Sequence, residues 1–194
     1  MINHRHSFIF IHINKCGGTT IDTVLGGGFR GHAKIRSYIS RRRAFSHYFK
    51  FAFVRNPWDR MVSFYHYQLQ NRWRSFPTLK SRARSGKDDI SFDEFIKTWM
   101  SKKNRGTSLN THSCYSWLTD FEGNLAVDFV GRFENFQQDF DFVCDKINFP
   151  RQPLLHENKS NHDHYTEYYN EETIQIVAER FAEDVEHFGY EFGK

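Results

Sequence analysis

Lys15-Cys16-Gly17-Gly18-Thr19-Thr20 has the residue types of an anion site. The apolar run Phe8-Ile9-Phe10-Ile11-His12-Ile13 precedes it, and a short helix-like segment from Ile21 to Leu25 follows. A strand, a glycine turn and a helix start point backbone N–H groups outward, where the helix dipole adds positive partial charge. Gly17 and Gly18 let the backbone approach a phosphate closely. Lys15 adds a full charge, and Thr19 and Thr20 add hydroxyl donors. A Walker-type loop places its lysine after the glycines and a Ser/Thr on Mg²⁺. Here the lysine comes first and no Gly-Lys-Ser/Thr occurs. The loop therefore suits a phosphate-like group rather than Mg-ATP.

A second constellation lies in residues 51–67, Phe-Ala-Phe-Val-Arg-Asn-Pro-Trp-Asp-Arg-Met-Val-Ser-Phe-Tyr-His-Tyr. Phe51 to Val54 reads as a buried strand, and Pro57 suits the first turn of a helix. Arg55 falls at the strand end. Arg60 and Ser63 lie three apart, on one helix face. A strand-end arginine with a helix-borne arginine and serine can form a second anion pocket.

The elements that must position these residues alternate. Strand 1 is expected at about residues 7–13, followed by a helix from Thr19 to Leu25. Strand 2 is expected at about 50–54, followed by a helix from Pro57 to about Arg72. Residues 73–90 form a polar, basic loop of a length that is usually functional or mobile. Ser91 and Glu94 make a capping box for a helix carrying Phe92, Phe95, Ile96 and Trp99. Tyr115 to Thr119 and Leu125 to Val130 flank Asp120-Phe-Glu-Gly-Asn, which reads as a hairpin. Helix 134–147 buries Phe136, Phe140, Val143 and Ile147. The last helix, about Glu171 to His187, has an inner face of Ile174, Val177, Phe181, Val185 and Phe188. Strands alternating with helices imply a parallel sheet covered on both faces, with ligands at the carboxyl ends of the strands. No linker divides the chain, so a single domain over 1–194 is expected.

Lys-x-Gly-Gly-Thr-Thr after the first strand, followed by Arg-Asn-Pro-x-x-Arg-x-x-Ser-x-Tyr after the next, resembles the sulfotransferases that use 3′-phosphoadenosine 5′-phosphosulfate (PAPS). The likeness is to the carbohydrate (Golgi-type, family 2) superfamily and its short bacterial members. It continues in Gly31-His32-Ala33, in Val130 to Asn135, in Asn158-Lys159-Ser160 with Tyr165, Tyr168 and Tyr169, and in Phe188-Gly189-Tyr190. Asn14 and Cys16 depart from the proline and threonine common there. The resemblance implies a three-layer, P-loop NTPase-like α/β fold with a central parallel sheet flanked by helices. It implies that Lys15, Gly17, Gly18, Thr19 and Thr20 cradle the 5′-phosphosulfate and that Arg55 and Ser63 bind the 3′-phosphate. Lys159 and Ser160 are further cofactor-binding candidates. Adenosine 3′,5′-bisphosphate (PAP) is then the product, and a carbohydrate or glycoconjugate hydroxyl the acceptor. Lys15 and His32 are the expected catalytic residues. His32 stands where related enzymes place their base, and a histidine titrates near operating pH. His112 and Glu157 are its rivals.

Composition bounds the remaining choices. The 194 residues carry a net charge of +4, unevenly spread. Residues 23–87 hold 15 Lys/Arg against one acid, Asp59, whereas residues 88–194 hold 21 acids against 10 Lys/Arg. The basic half suits a polyanionic nucleotide. A nucleotide kinase and a basic nucleic-acid-binding protein are the alternatives. The first lacks a Gly-Lys-Ser/Thr, and the second lacks a known RNA-binding signature, so no nucleic-acid partner is expected. Cys16, Cys114 and Cys144 are too few and too scattered for a disulfide framework. No metal site is expected, although His156, His162 and His164 cluster in a polar segment. No run approaches the ~20 apolar residues of a membrane span, and no signal-peptide pattern opens the chain, so the expectation is a cytoplasmic enzyme.

Overall fold

The structure, a computed structural model, describes residues 1–27, 31–40, 45–71, 90–99, 112–154 and 163–194. Residues 72–89, Glu157, Lys159 and Ser160 lie outside the described residues, as do His156 and His162. Contacts divide the chain into two compact units, Met1–Asn56 with His112–Lys159 and Pro57–Thr111 with Ser160–Lys194.

The first unit holds a four-stranded sheet in the order β1-β2-β3-β4. β2 (Phe8–Ile11) and β3 (Phe49–Val54) are parallel, with Phe10 opposite Phe51 and Ile11 opposite Ala52. β3 and β4 (Phe129–Arg132) are also parallel, with Phe53 opposite Gly131. Phe8, Ile9, Phe10 and Ile11 are all buried, as are Phe51 to Val54. Such continuous apolar runs are what a parallel sheet covered on both faces requires. On one face Phe8, Phe10, Phe51 and Phe53 form a core with Ile21 and Leu25, and with Phe136, Phe140, Val143 and Cys144. Those partners belong to α1 (Gly18–Val24) and its end, and to the helix Phe136–Lys146. This is the α/β fold expected, with one difference. A two-residue strand, β1 (Ile2–Asn3), pairs antiparallel with β2 and supplies an edge.

A second difference lies in the expected hairpin. Tyr115–Leu118 is one helical turn, not a strand. Asp120 to Asn124 does turn, with the Asp120 carboxylate accepting the N–H groups of Glu122 and Asn124. The flanking pairing is the single bridge Thr119–Leu125, and the chain runs on into β4, which pairs with β3. A run of four residues carries too little period to separate strand from helical turn.

The second unit is helical among the described residues. α2, the helix Pro57–Gln70, begins at the expected proline. The helix Phe92–Trp99 is capped by Ser91, whose hydroxyl accepts the Glu94 N–H at 3.2 Å. Phe64, Tyr65, Phe92 and Phe95 stack in its core. The expected last helix is two helices, Glu171–Arg180 and Ala182–Phe188, broken at Phe181 where ψ is 33°. The break sets Asp184 in a new first turn, 4.0 Å from Arg60, with both side chains fully buried. The Arg60 guanidinium also lies 5.5 Å from the centre of the Phe181 ring. Arg60 is therefore held in the helical core rather than offered to an anion.

One close contact in the sheet is directly testable. A Cβ on Gly131 would lie 2.6 Å from the buried Phe53 ring. Gly131→Ala is expected to lower stability by about 1–3 kcal/mol through overpacking. A urea titration should show a lower midpoint with an unchanged slope.

Candidate functional site

The loop after β2 is shaped by two residues in the left-handed region, Lys15 at φ 66° and Gly17 at φ 77°. Gly17 meets that conformation without strain, whereas Lys15 does not. Gly17 also sits against the start of the Phe136–Lys146 helix. A Cβ there would lie 2.5 Å from the Phe136 ring. Gly18, the first residue of α1, has no room for a side chain either. Its Cβ would lie 2.2 Å from the His12 ring. Gly17 caps α1 with no side-chain hydrogen bond. Thr19 is exposed and Thr20 is buried. Cys16 turns inward, its Sγ lying 3.9 Å from that of Cys114. Its side chain belongs to the core, and all three cysteines are free thiols.

Arg55, at the end of β3, reaches this loop. Its Nη1–H donates to the Lys15 carbonyl at 3.3 Å, and its guanidinium lies 4.1 Å from the centre of the Phe133 ring. The next residue is anchored by Glu134, whose Oε1 accepts the Asn56 N–H at 2.6 Å. Arg132 is tied to the Phe136–Lys146 helix, donating its backbone N–H to Asp139 at 2.6 Å. Burial first and the nearby Arg55 charge second lower the Lys15 pKa to about 8, with Cys16 acting in the opposite sense. Two cations are thus held within electrostatic reach of each other.

His32 joins the same neighbourhood from the segment after α1. Its Nδ1–H donates to the His12 carbonyl at 2.8 Å. In the neutral ring the lone pair then resides on Nε2. Burial lowers the His32 pKa, partly opposed by that hydrogen bond. The ring lies edge-on to His12 and to the buried Trp117. The segment is fastened to the Tyr115–Leu118 turn, since Ile35 N–H donates to Trp117 O and Arg36 donates to Thr119. His112, the rival base, has Nδ1 3.4 Å from the Lys34 ammonium. Glu157 lies outside the described residues.

The first unit thus brings together Lys15, Gly17, Gly18, Thr19, Thr20, Arg55 and His32. Ser63 is buried on α2, in the second unit. Lys159 and Ser160 fall outside the described residues. Among the described residues, no three His, Cys, Asp or Glu side chains are grouped to hold a metal, and no helix is long and apolar enough to cross a membrane.

Sequence reasoning missed His12 and Asp22. The His12 ring packs on Gly18, and its Nδ1 lies 2.7 Å from Asp22 Oδ2, with both residues buried. A signal existed. His12 is the polar residue that ends an apolar strand run, and Asp22 follows Gly18 by four positions on a short helix.

The chain is similar in sequence to known proteins. Carbohydrate sulfotransferase 14 of Mus musculus is 28% identical over 181 residues, covering 77% of this chain and 46% of the mouse protein. Carbohydrate sulfotransferase 14 of Homo sapiens is 28% identical over 123 residues, covering 56% of this chain and 31% of the human protein. An uncharacterized protein of Archaeoglobus fulgidus is 29% identical over 125 residues, covering 64% of this chain and 88% of its own. The chain therefore spans less than half the length of the two carbohydrate sulfotransferases. No solved structure matches it. The sulfotransferase family model matches residues 1–191, nearly the whole chain, and the protein belongs to that family.

Proposed function

We propose that this protein moves the sulfuryl group of PAPS to a hydroxyl of a carbohydrate or glycoconjugate. The observation that carries the reading is the glycine loop at the end of β2 with Lys15 and Arg55 beside it. Two neighbouring cations, with the Lys15 pKa lowered by burial first and by their repulsion second, suit a ligand with several negative charges. The donor supplies an activated sulfuryl group on a phosphate leaving group. Lys15 and the N–H groups of residues 17–20 hold the oxygen on which charge grows as the S–O bond breaks. Arg55 holds the 3′-phosphate with Ser63, and Lys159 and Ser160 contribute from their segment. His32 takes the acceptor hydroxyl proton on Nε2 as the oxygen bonds to sulfur, and PAP leaves. Positioning and electrostatics carry most of such a transfer, as in phosphoryl transfer.

A thermal-shift titration with PAP, Mg-ATP and 5′-AMP tests the donor site. PAP at ~100 times its Kd should add about 2.7 kcal/mol of stability, and Arg55→Ala should lose that shift. Stabilisation by Mg-ATP alone would replace this reading with a kinase, and no shift with any nucleotide would remove the donor site altogether.

Lys15→Ala is expected to lower turnover by about 10²–10³-fold, the cost of one preorganised donor. Turnover within threefold of the parent refutes the role. The ammonium form is the one that attracts an anion, and Lys15 holds its proton below a pH of about 8. PAP affinity measured by calorimetry should therefore fall as the pH rises through about 8, and Lys15→Met should lack that fall.

A further inference from the structure

His12 touches both the glycine loop and the candidate base. Its ring fills the space where a Gly18 side chain would stand. Its carbonyl accepts the His32 Nδ1–H at 2.8 Å, and the two rings lie 4.8 Å apart. Its own Nδ1–H donates to Asp22 Oδ2 at 2.7 Å. Asp22 is 5% exposed and His12 8%. A buried carboxylate is unfavourable unless paired and hydrogen-bonded, and an apolar pair of similar volume would pack here at lower cost. The polar pair is therefore poorly explained as packing alone.

We propose that Asp22 and His12 form a positioning pair, in which the Asp22 carboxylate fixes the His12 ring against Gly18 and the His12 carbonyl thereby holds His32 in its Nδ1–H tautomer. The proposal rests on the reading of His32 as the base. The division of labour is that of a carboxylate orienting an imidazole, here one residue removed from the base. Neither residue touches the reacting atoms; both act through Gly18 and His32.

Charge adds a signature that a packing role lacks. The groups acting on His32 are His12, which follows β2, and Asp22 on α1. The His12 charge lowers its pKa and the Asp22 charge raises it. Asp22 in turn faces the Met1 ammonium, whose pKa burial lowers and the Asp22 charge partly restores, and the Tyr38 hydroxyl, whose pKa is raised by burial first and by the Asp22 charge second. Lys34 lies two residues beyond His32, over the Trp117 ring. Asp22→Asn keeps the shape and an oxygen acceptor but removes the charge. Asp22→Ala removes the anchor.

The experiment is ¹⁵N NMR of the histidine rings in the full chain, with His32 assigned by loss of its signals in His32→Gln. In the parent, His32 should titrate below the ordinary histidine range with Nε2 unprotonated. Asp22→Asn should move its midpoint to lower pH with the tautomer kept. Asp22→Ala should mix the two tautomers, and His12→Asn, whose amide N–H can replace the ring donor, should restore the parent tautomer better than His12→Leu. An unmoved midpoint in Asp22→Asn overturns the proposal, and so does a retained tautomer in a folded Asp22→Ala. If Asp22→Ala does not fold, the Asp22→Asn midpoint decides alone. PAP release from PAPS by His32→Gln is a separate readout. Undiminished release refutes His32 as the base, whereas the ring titration still reports whether the pair acts on it.

Discussion

Lys15 and Arg55 carry like charges and are held side by side, and the surrounding elements serve that unfavourable arrangement. β2 and β3 are parallel neighbours in register, so the loop after Ile11 and the arginine after Val54 emerge at the same edge of the sheet. Arg55 is then immobilised by stacking on Phe133 and by donating to the Lys15 carbonyl. Glu134 holds the next peptide. Each of these contacts fixes a group that lines the loop. Preorganised charge of this kind needs no rearrangement when a negative group arrives.

Backbone geometry reinforces the point. A lysine in the left-handed region costs of order 1–3 kcal/mol and persists only where its surroundings enforce it. Gly17 is pressed by Phe136 and Gly18 by His12, so the turn has no freedom to relax. The same aromatic residues that build the core, Phe133 and Phe136, also set the loop. Core and site are therefore one packing problem in this unit.

The glycine loop and the strand-end arginine were legible in the sequence because their signals are local. Glycines, a lysine and a proline-started helix declare themselves within a few residues. The parallel pairing followed from apolar runs alternating with helical periods. What escaped depends on contacts distant in sequence or on very short elements. Phe181 fits the helical period of 174–188, yet the helix breaks there and buries Asp184 against Arg60, a partner more than a hundred residues away. Tyr115–Leu118 has strand-like residues but forms one helical turn, tied by the Trp117 carbonyl to Ile35. His12 and Asp22 look like a strand-end polar residue and a helix-surface acid until the fold places them in contact. Lys159 and Ser160, expected only by resemblance, lie outside the described residues.

Burial acts on the two central titrating groups in the same direction and with opposite consequences. It lowers the His32 pKa, which keeps the ring neutral and able to accept a proton at neutral pH. It also lowers the Lys15 pKa, to about 8, which withdraws the ammonium charge from alkaline conditions. A site that needs neutral His32 and charged Lys15 therefore works in a window opening below the ordinary histidine pKa and closing near pH 8. A bound polyanion raises the Lys15 pKa and extends the window upward. The apoprotein and its complex should then differ on the alkaline side more than on the acid side, because the anion neighbours Lys15, whereas His32 is set chiefly by burial, His12 and Asp22.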